Sequence, residues 1–264
     1  MKIVVCIKQV PDTSEVEMDP ETNTLIRAGL PSIINPDDKS GIEAALAFKN
    51  KAGGYSTVTV VSMGPRQAEM ALLEALSMGC DEAYLITDSK FGGSDTLATS
   101  TILAAVLRKI GYDLIITGRQ AIDGDTAQVG SQIAEHLGIP QVSYVEEAVL
   151  EDGAIVAMRQ FEDRYHRIRV KFPCLLTAIA ELGTPRYMTV AGIMEAQNKP
   201  LRLMDYEALK DELDLAAIGL KGSPTNVIKA YTKEQKVQGA LLKDLTPDQA
   251  VDAIMARLKE SHII

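Results

Sequence analysis

Four apolar runs alternate with helical patterns in the first half of the chain, and this alternation limits the possible folds more than any other feature. The runs are KIVVCIKQV, STVTVVSMG, EAYLITD and YDLIITG. A continuously apolar run of this length is typical of a strand that is covered on both faces of a sheet. The segments between the runs begin with proline or acidic residues and end at glycine, which is the usual pattern of a helix. The sequence therefore predicts an α/β fold with a doubly wound, mostly parallel sheet.

The pattern changes after Pro140. The stretch QVSYVEEAVLEDGAIVAMRQFEDRYHRIRVKFPCLLTAIA carries turn signals near Asp152 and Asp163, and it predicts an antiparallel meander added to the sheet. From Gly183 onward the periodicity weakens, which predicts a docking arm or a disordered linker. The last segment, TPDQAVDAIMARLKESHII, predicts a capped amphipathic helix. We therefore expect an α/β domain with its meander at residues 1–183 and an arm at residues 184–264.

Composition narrows the class of protein. With 264 residues, 46% of them hydrophobic, the chain is long enough to bury a core. Its formal charge of -9 argues against general nucleic-acid binding, since phosphate neutralisation needs a basic surface. No segment approaches the roughly 20 apolar residues of a membrane span, and the first apolar run is too short for a signal peptide. These features predict a globular protein of the cytoplasm.

Cysteine and histidine usage gives little support for metal chemistry or for a protein nucleophile. Cys6, Cys80 and Cys174 are widely separated, so they form no CxxC unit, and we expect buried structural thiols. The three histidines are scattered and match no Ser/His/Asp or HExxH pattern. We therefore predict no catalytic side chain and no metal ligands, so any electron transfer would need an organic cofactor.

The segments that follow the four strands are the places to look for a ligand, because open α/β sheets bind ligands outside the carboxyl ends of their strands. Two of them, TDSKFGGSDT and TGRQAIDGDTAQ, are rich in glycine and hydroxyl groups and lead into helix N-termini, which favour phosphate. Gly118 and Gly124 permit close backbone approach, Thr126 and Gln128 offer hydrogen bonds, and Arg119 can face a diphosphate. An ordinary strand-to-helix loop with a surface arginine explains the second segment equally well.

One of these loops suggests a different class of protein. FGGSDT resembles the SGGxDS loop of ATP pyrophosphatases, which adenylate their substrates. Phe91 stands here in place of the leading serine, and the motif follows a late strand instead of the first. An adenylating enzyme and a stand-alone adenine-nucleotide sensor are therefore the alternatives to an electron-transfer subunit.

Five motifs together resemble the β subunits of electron transfer flavoproteins over essentially the whole chain. They are VCIKQVPDT, NPDD, VSMGP, GRQAIDGDTAQVG and TPRYMTVAGIMEA, in that order. The resemblance implies an adenine-nucleotide-binding, Rossmann-like fold and a heterodimer with an α subunit that carries a redox-active FAD. It also implies a nucleotide in the β subunit, which is AMP in the electron-carrier group and a second FAD in the electron-bifurcating group.

The resemblance assigns cofactor-binding positions to this sequence. They are Cys6, Asn35, Asp38, Met63, Asp95, Thr96, Thr99, Gly118, Arg119, Gln120, Ala121, Gly124, Asp125, Thr126, Ala127, Gln128 and Val129. The AMP-binding pattern usually has a second acid and bulkier residues where this chain has the sequence Gly124 to Ala127. Asp95, Thr96 and Thr99 resemble the phosphate-binding loop of the bifurcating group. Both features favour FAD, and AMP is the alternative.

The resemblance also implies partners. The recognition loop of the family matches Thr184 to Pro200, with a docking set of Thr184, Pro185, Arg186, Tyr187, Met188, Thr189 and Val190. Val190 would be an exposed apolar anchor for an acyl-CoA dehydrogenase, although YMTVAGIM could instead be core. The arm at 184–264 would wrap the α subunit. NADH would reduce the β-site FAD, and its electrons would pass to the acyl-CoA dehydrogenase and to ferredoxin or flavodoxin.

Overall fold

A computed structural model describes residues 1–12, 31–225, 239 and 241–264 of the chain. By internal contacts the chain divides into two units, Met1–Lys229 and Ala230–Ile264. The sequence analysis placed a boundary after residue 183, where an arm that wraps a partner would begin. That boundary stays a prediction.

The described residues form strands and helices in alternation through the first half of the chain. The strands are β1 (Lys2–Cys6), β2 (Gln9–Pro11), β3 (Ser32–Ile34), β4 (Thr57–Met63), β5 (Glu82–Ile86), β6 (Leu114–Gly118), β7 (Gln141–Glu151), β8 (Ala154–Phe161), β9 (Arg164–Lys171), β10 (Cys174–Ala178) and β11 (Leu201–Met204). The helices are α1 (Pro36–Ala52), α2 (Glu69–Met78), α3 (Thr96–Ile110), α4 (Val129–Leu137), α5 (Val190–Ala196), α6 (Tyr206–Leu209), α7 (Gly219–Gly222) and α8 (Pro247–Glu260).

A nine-stranded sheet with the order β11-β5-β4-β1-β6-β10-β7-β8-β9 organises the first unit. Within this sheet every pairing from β11 to β7 is parallel, whereas β7–β8 and β8–β9 are antiparallel. β2 and β3 form a separate antiparallel pair. The predicted doubly wound, mostly parallel α/β sheet is therefore confirmed. The chain runs outward from β1 through β4 to β5 and then returns to β6 on the other side of β1. This reversal makes a topological switch point between β1 and β6, where α/β sheets bind ligands.

The core explains why the strands read as continuous apolar runs. Ile3 and Val5 of β1 belong to one buried cluster, whereas Val4 and Cys6 belong to another. Successive side chains of a strand point to opposite faces, so both faces of β1 are covered. Helices on the two sides of the sheet also contribute to these clusters, as Ile42 does from α1 and Ile102 does from α3.

The meander differs from the sequence-based expectation at its last strand. β7, β8 and β9 form the expected antiparallel ribbon, but β10 returns into the sheet and lies parallel to both β6 and β7. The physical reason is burial: all five residues of β10 are buried, whereas most of β9 is exposed. A strand that is apolar on both faces belongs in the covered part of a sheet.

The weakly periodic region after Gly183 contains regular secondary structure that the sequence pattern does not predict. It contains α5 and the edge strand β11, which pairs in parallel with β5. In the second unit, the predicted C-terminal helix is present as α8, and Thr246 and Gln249 form its capping box. None of the helices in the described residues is long and apolar enough to cross a membrane.

Candidate functional site

A cleft of about 730 Å³ opens at the carboxyl ends of the parallel strands, at the switch point. Its walls come from the ends of β1, β4, β5 and β6 and from the loops that lead into α3 and α4. The volume lies within the range of roughly 300–1,000 Å³ that is usual for small-molecule and cofactor sites. The fold therefore places one ligand-sized cleft where the sequence analysis looked for a ligand.

The structure brings almost all of the proposed cofactor residues together around this cleft. Those that line it are Cys6, Asp38, Met63, Asp95, Thr96, Thr99, Gly118, Arg119, Gln120, Ala121, Gly124, Asp125, Thr126, Ala127, Gln128 and Val129. Their spatial convergence follows from the fold, because they lie at the ends of strands that share one edge. Direct contact with a cofactor stays a prediction for each of them.

Asn35 is the exception, because it lies behind the cleft wall. It is fully buried, its Nδ2 donates to the carbonyl oxygen of Gln120 at 2.9 Å, and its Oδ1 accepts the Ile122 N–H at 3.1 Å. Both ends of its amide group are thus engaged with the backbone of the loop that follows β6. These contacts position the loop that follows β6, and direct contact of Asn35 with a cofactor stays a prediction.

The loop between β6 and α4, residues 119–128, has a compact shape that small residues permit. Asp125 and Ala127 have left-handed backbone conformations, with φ values of 55° and 52°. The Gln120 side-chain amide donates to the Asp125 carboxylate within the loop. Left-handed backbone is costly for residues with a large side chain, and Asp tolerates it better than most. The loop therefore presents mostly backbone and short side chains to the cleft.

Two cations stand at the wall of the cleft. Lys8, just beyond β1, pairs with Asp123 at 2.6 Å between Nζ and Oδ1. The Nε of Arg119 lies 3.6 Å from an oxygen of Asp37, and its guanidinium lies 5.9 Å from the ring centre of Tyr144. Sequence reasoning singled out Arg119 but missed Lys8, although a cation directly after the first strand is a readable signal.

The loop between β5 and α3 forms the opposite wall. Asp95 caps α3, since its Oδ1 accepts the Ala98 N–H at 3.0 Å. Its other carboxylate oxygen accepts the Thr225 N–H at 3.0 Å, so the backbone engages both oxygens. Thr96 Oγ1 donates to Gln128 Oε1 at 3.1 Å. That last bond joins the start of α3 to the start of α4 across the cleft.

Asp38 ties the strand ends together beneath the cleft. Its carboxylate accepts the N–H of Lys8 at 2.7 Å and the N–H of Gly118 at 2.9 Å, which links α1 to the ends of β1 and β6. Burial raises the pKa of Asp38 to about 7, although the two backbone N–H groups and Asn35 act to lower it. The folded chain therefore binds a proton at Asp38 more tightly than the unfolded chain does.

This raised pKa predicts a pH dependence of stability. The contribution of Asp38 to the free energy of unfolding is fully present below about pH 4. It is lost as the pH rises through about 7, because the buried carboxyl group must then ionise away from water. We expect the Asp38→Asn variant to lack this decline, which is on the order of 2–4 kcal/mol. Thermal unfolding of both proteins between pH 4 and pH 8 measures it. Parallel pH profiles for the two proteins would contradict the assignment.

The three cysteines are buried thiols, as expected. Burial raises the pKa of Cys6, of Cys80 and of Cys174 to about 12 in each case. A thiol with such a pKa stays protonated at neutral pH, and only the thiolate is a strong nucleophile or metal ligand. Cys6 therefore contributes an apolar surface to the cleft and not a reactive group.

The proposed docking segment lies on the surface. Tyr187 is 96% exposed and Val190 is 77% exposed, so the alternative that this stretch is core does not hold. Arg186 fastens the segment to α1 through two bonds of 2.7 Å from its guanidinium to the Glu43 carboxylate. Gly192 lets α5 pack closely on α2, since a Cβ there would lie 2.4 Å from the Ser77 carbonyl oxygen. Large apolar side chains are thus held outward on an anchored segment.

The parallel sheet, with a cleft at its switch point and glycine-rich loops that lead into two helix N-termini, defines a Rossmann-like α/β protein. The chain belongs to the electron transfer flavoprotein family, since residues 22–209 match the family model described as "Electron transfer flavoprotein domain". The sequence resemblance to this family is therefore confirmed.

Full-length relatives agree with this assignment. The chain is 53% identical over 264 residues to "Electron transfer flavoprotein subunit beta" of Clostridium acetobutylicum, with 100% of both chains covered. It is 49% identical over 265 residues to "Caffeyl-CoA reductase-Etf complex subunit CarD" of Acetobacterium woodii, again with 100% of both covered. It is 49% identical over 271 residues to "Acryloyl-CoA reductase electron transfer subunit gamma" of Anaerotignum propionicum, with 100% coverage of both. These relatives are named as subunits of electron-transfer complexes.

Proposed function

We propose that the chain is the FAD-binding β subunit of a heterodimeric, electron-bifurcating electron transfer flavoprotein. The observation that carries this proposal is that one cleft takes in both glycine-rich loops and the N-termini of both α3 and α4. Each helix N-terminus offers free backbone N–H groups and the positive end of a helix dipole to a phosphate. FAD carries a diphosphate and can use both ends, whereas AMP carries a single phosphate.

The composition of the cleft wall also supports a flavin dinucleotide. The loop between β6 and α4, which we call the β6 loop, carries small residues at Gly124, Thr126 and Ala127. Its backbone can therefore approach a diphosphate closely. Apolar residues from β4, β5 and α3 line the rest of the wall, including Val61 and Leu103. In our proposal they cover the uncharged part of the cofactor and exclude water from it.

Bound FAD supplies hydride acceptance and one-electron transfer, which no side chain in the cleft supplies. The chain's own contribution is to bind and orient the cofactor and to set its electrostatic surroundings. We assign the tuning role to Arg119, whose side chain is 34% exposed at the wall of the cleft. A fixed positive charge near a flavin favours its reduced, anionic form.

NADH is the electron donor in this proposal, which also places the protein in the cytoplasm. The acceptors are an acyl-CoA dehydrogenase and either ferredoxin or flavodoxin. The names of two relatives, which belong to caffeyl-CoA and acryloyl-CoA reductase systems, support an acceptor that acts on acyl-CoA thioesters. Tyr187, Met188 and Val190 form the apolar docking surface for that acceptor. The arm at 184–264 wraps the α subunit.

Cofactor content tests the proposal directly. The chain is co-expressed with its α subunit, and the cofactors of the purified heterodimer are released with acid and separated by chromatography. We expect two FAD and no AMP per heterodimer. One FAD with one AMP would make the protein a simple electron carrier. No flavin at all would remove the electron-transfer function, and ATP-dependent pyrophosphate release would then favour an adenylating enzyme.

A further inference from the structure

A segment far along the chain is fastened to the outside of the β5–α3 loop. We call residues 218–225 the strap and residues 91–95 the strapped loop. Four hydrogen bonds from backbone N–H groups join them: Gly219 N–H to Ser94 Oγ at 3.1 Å, Leu220 N–H to the Gly92 oxygen at 3.0 Å, Asp95 N–H to Ser223 Oγ at 2.9 Å, and Thr225 N–H to Asp95 Oδ2 at 3.0 Å. Ser223 Oγ also lies 3.4 Å from the Gly93 carbonyl oxygen. All five residues of the strapped loop line the cleft. The strap therefore supports the site from behind.

Ser223 is the centre of the strap. It is only 6% exposed, and its hydroxyl group accepts the Asp95 N–H while donating to the Gly219 carbonyl oxygen at 2.7 Å. The bond to Gly219 closes the turn of the strap. The bond from Asp95 reaches the residue that caps α3. One hydroxyl group thus connects the shape of the strap to the start of the helix.

Close packing keeps the strap in place. Gly219 has a left-handed backbone with φ of 65°, and a Cβ there would lie 2.2 Å from the Lys90 carbonyl oxygen. Ile218, next to it, is 2% exposed and belongs to the buried cluster on the α3 side of the sheet. The strap is therefore held by the burial of Ile218 and by the close approach of the Gly219 backbone to Lys90, which only glycine permits.

The strapped loop needs such support because its sequence is permissive. Gly92 and Gly93 are adjacent, and Gly93 has a φ of 73°. Two glycines give a loop many accessible conformations, and a ligand that requires one of them loses affinity for the ordering. Bonds that fix the loop before binding remove that loss.

We propose that Ser223 is a positioning residue of the nucleotide site, which holds the strapped loop and the first turn of α3 in the form that receives a diphosphate. The proposal rests on the function proposed above. It adds that affinity at the cleft depends on a residue that does not line the cleft and that lies 128 positions from its partner in the chain.

The test compares Ser223→Ala with Ser77→Ala in the heterodimer. Ser77 is a matched control, because it is also a buried serine, 8% exposed, whose hydroxyl donates at 2.7 Å to the carbonyl oxygen four residues earlier. Ser77 lies in α2 and does not line the cleft. Dissociation constants for FAD, AMP and adenosine are measured on cofactor-stripped heterodimers, and α-site flavin content is measured alongside.

We expect Ser223→Ala to weaken FAD binding at the β site roughly tenfold, the factor expected for one lost hydrogen bond to a loop that must be ordered. Adenosine, which has no phosphate, should bind within about twofold of wild type, because the strapped loop is a phosphate wall. Ser77→Ala should leave all three constants unchanged, and Ser223→Thr, which keeps the hydroxyl group, should restore most of the FAD affinity.

Other outcomes overturn the inference in distinguishable ways. If wild type binds FAD but Ser223→Ala binds it equally well, the positioning role is wrong and the proposed function stands. If FAD and adenosine affinities fall together, Ser223 has only a general structural role. If the wild-type heterodimer binds none of the three ligands at the β site, the proposed function fails and the inference fails with it.

Discussion

Replacing Gly118 with alanine is expected to be among the most damaging single changes in the chain. Gly118 ends β6, and a Cβ there would lie 2.1 Å from Asp38 Oδ1 and 3.0 Å from the Asp38 backbone nitrogen. The added methyl group cannot be accommodated by rotating a flexible side chain, since α1 itself blocks it. Displacing Asp38 would also break its bonds to Gly118 and Lys8. Overpacking of this kind costs about 1–3 kcal/mol, and the lost hydrogen bonds add to it.

The effect is measurable as a lowered thermal unfolding midpoint. For a chain of this size, we expect Gly118→Ala to lower the midpoint by roughly 5–10 °C. Gly124→Ala is the control, because Gly124 also lines the cleft but a Cβ there would meet nothing closer than Lys8 Nζ at 3.9 Å. The control should stay within about 2 °C of wild type. Similar midpoints for the two variants would show that the contact between Gly118 and Asp38 is not tight in the molecule.

The parts of the fold that could be predicted are those in which local pattern and burial coincide. Each central parallel strand is covered on both faces, so β1, β4, β5 and β6 read as apolar runs without knowledge of the fold. The loops at their carboxyl ends could then be assigned to one edge, because parallel strands share it. That step placed Arg119 and Thr96 at the same cleft, although one follows β6 and the other begins α3.

The parts that could not be predicted depend on partners distant in sequence. β11 has four residues, too few to show a period, and only its pairing with β5 makes it a strand. β10 directly follows the antiparallel strands β7 to β9 in sequence, so the local pattern groups it with them. Its place between β6 and β7 goes with the burial of all five of its residues. The bonds from the Asn35 amide group to the Gln120 and Ile122 backbone are also invisible in the local sequence pattern, because they join residues more than 80 positions apart.

Bulky residues in the β6 loop are expected to have the largest effect on the β site. In the variant with both Gly124→Phe and Thr126→Phe, two aromatic rings enter a loop that now presents backbone and a short side chain to the cleft. The rings would occupy space that the proposed diphosphate needs, and a phosphate displaced from both the loop and the α4 N-terminus loses its main partners. We expect the β-site FAD to be lost, with affinity weakened by more than about a hundredfold, roughly two lost charge-assisted hydrogen bonds.

The α-site flavin should remain bound in the same variant, because this loop belongs to the β chain's own cleft. Ile122→Phe is the matched control: Ile122 lies in the same loop and is 52% exposed, but it does not line the cleft. The control should therefore keep both flavins. Flavin content per heterodimer distinguishes the outcomes, with one FAD expected for the double variant and two for the control. If the double variant keeps both flavins, residues 118–129 do not hold the cofactor, since two aromatic rings at the contact surface leave no room for it.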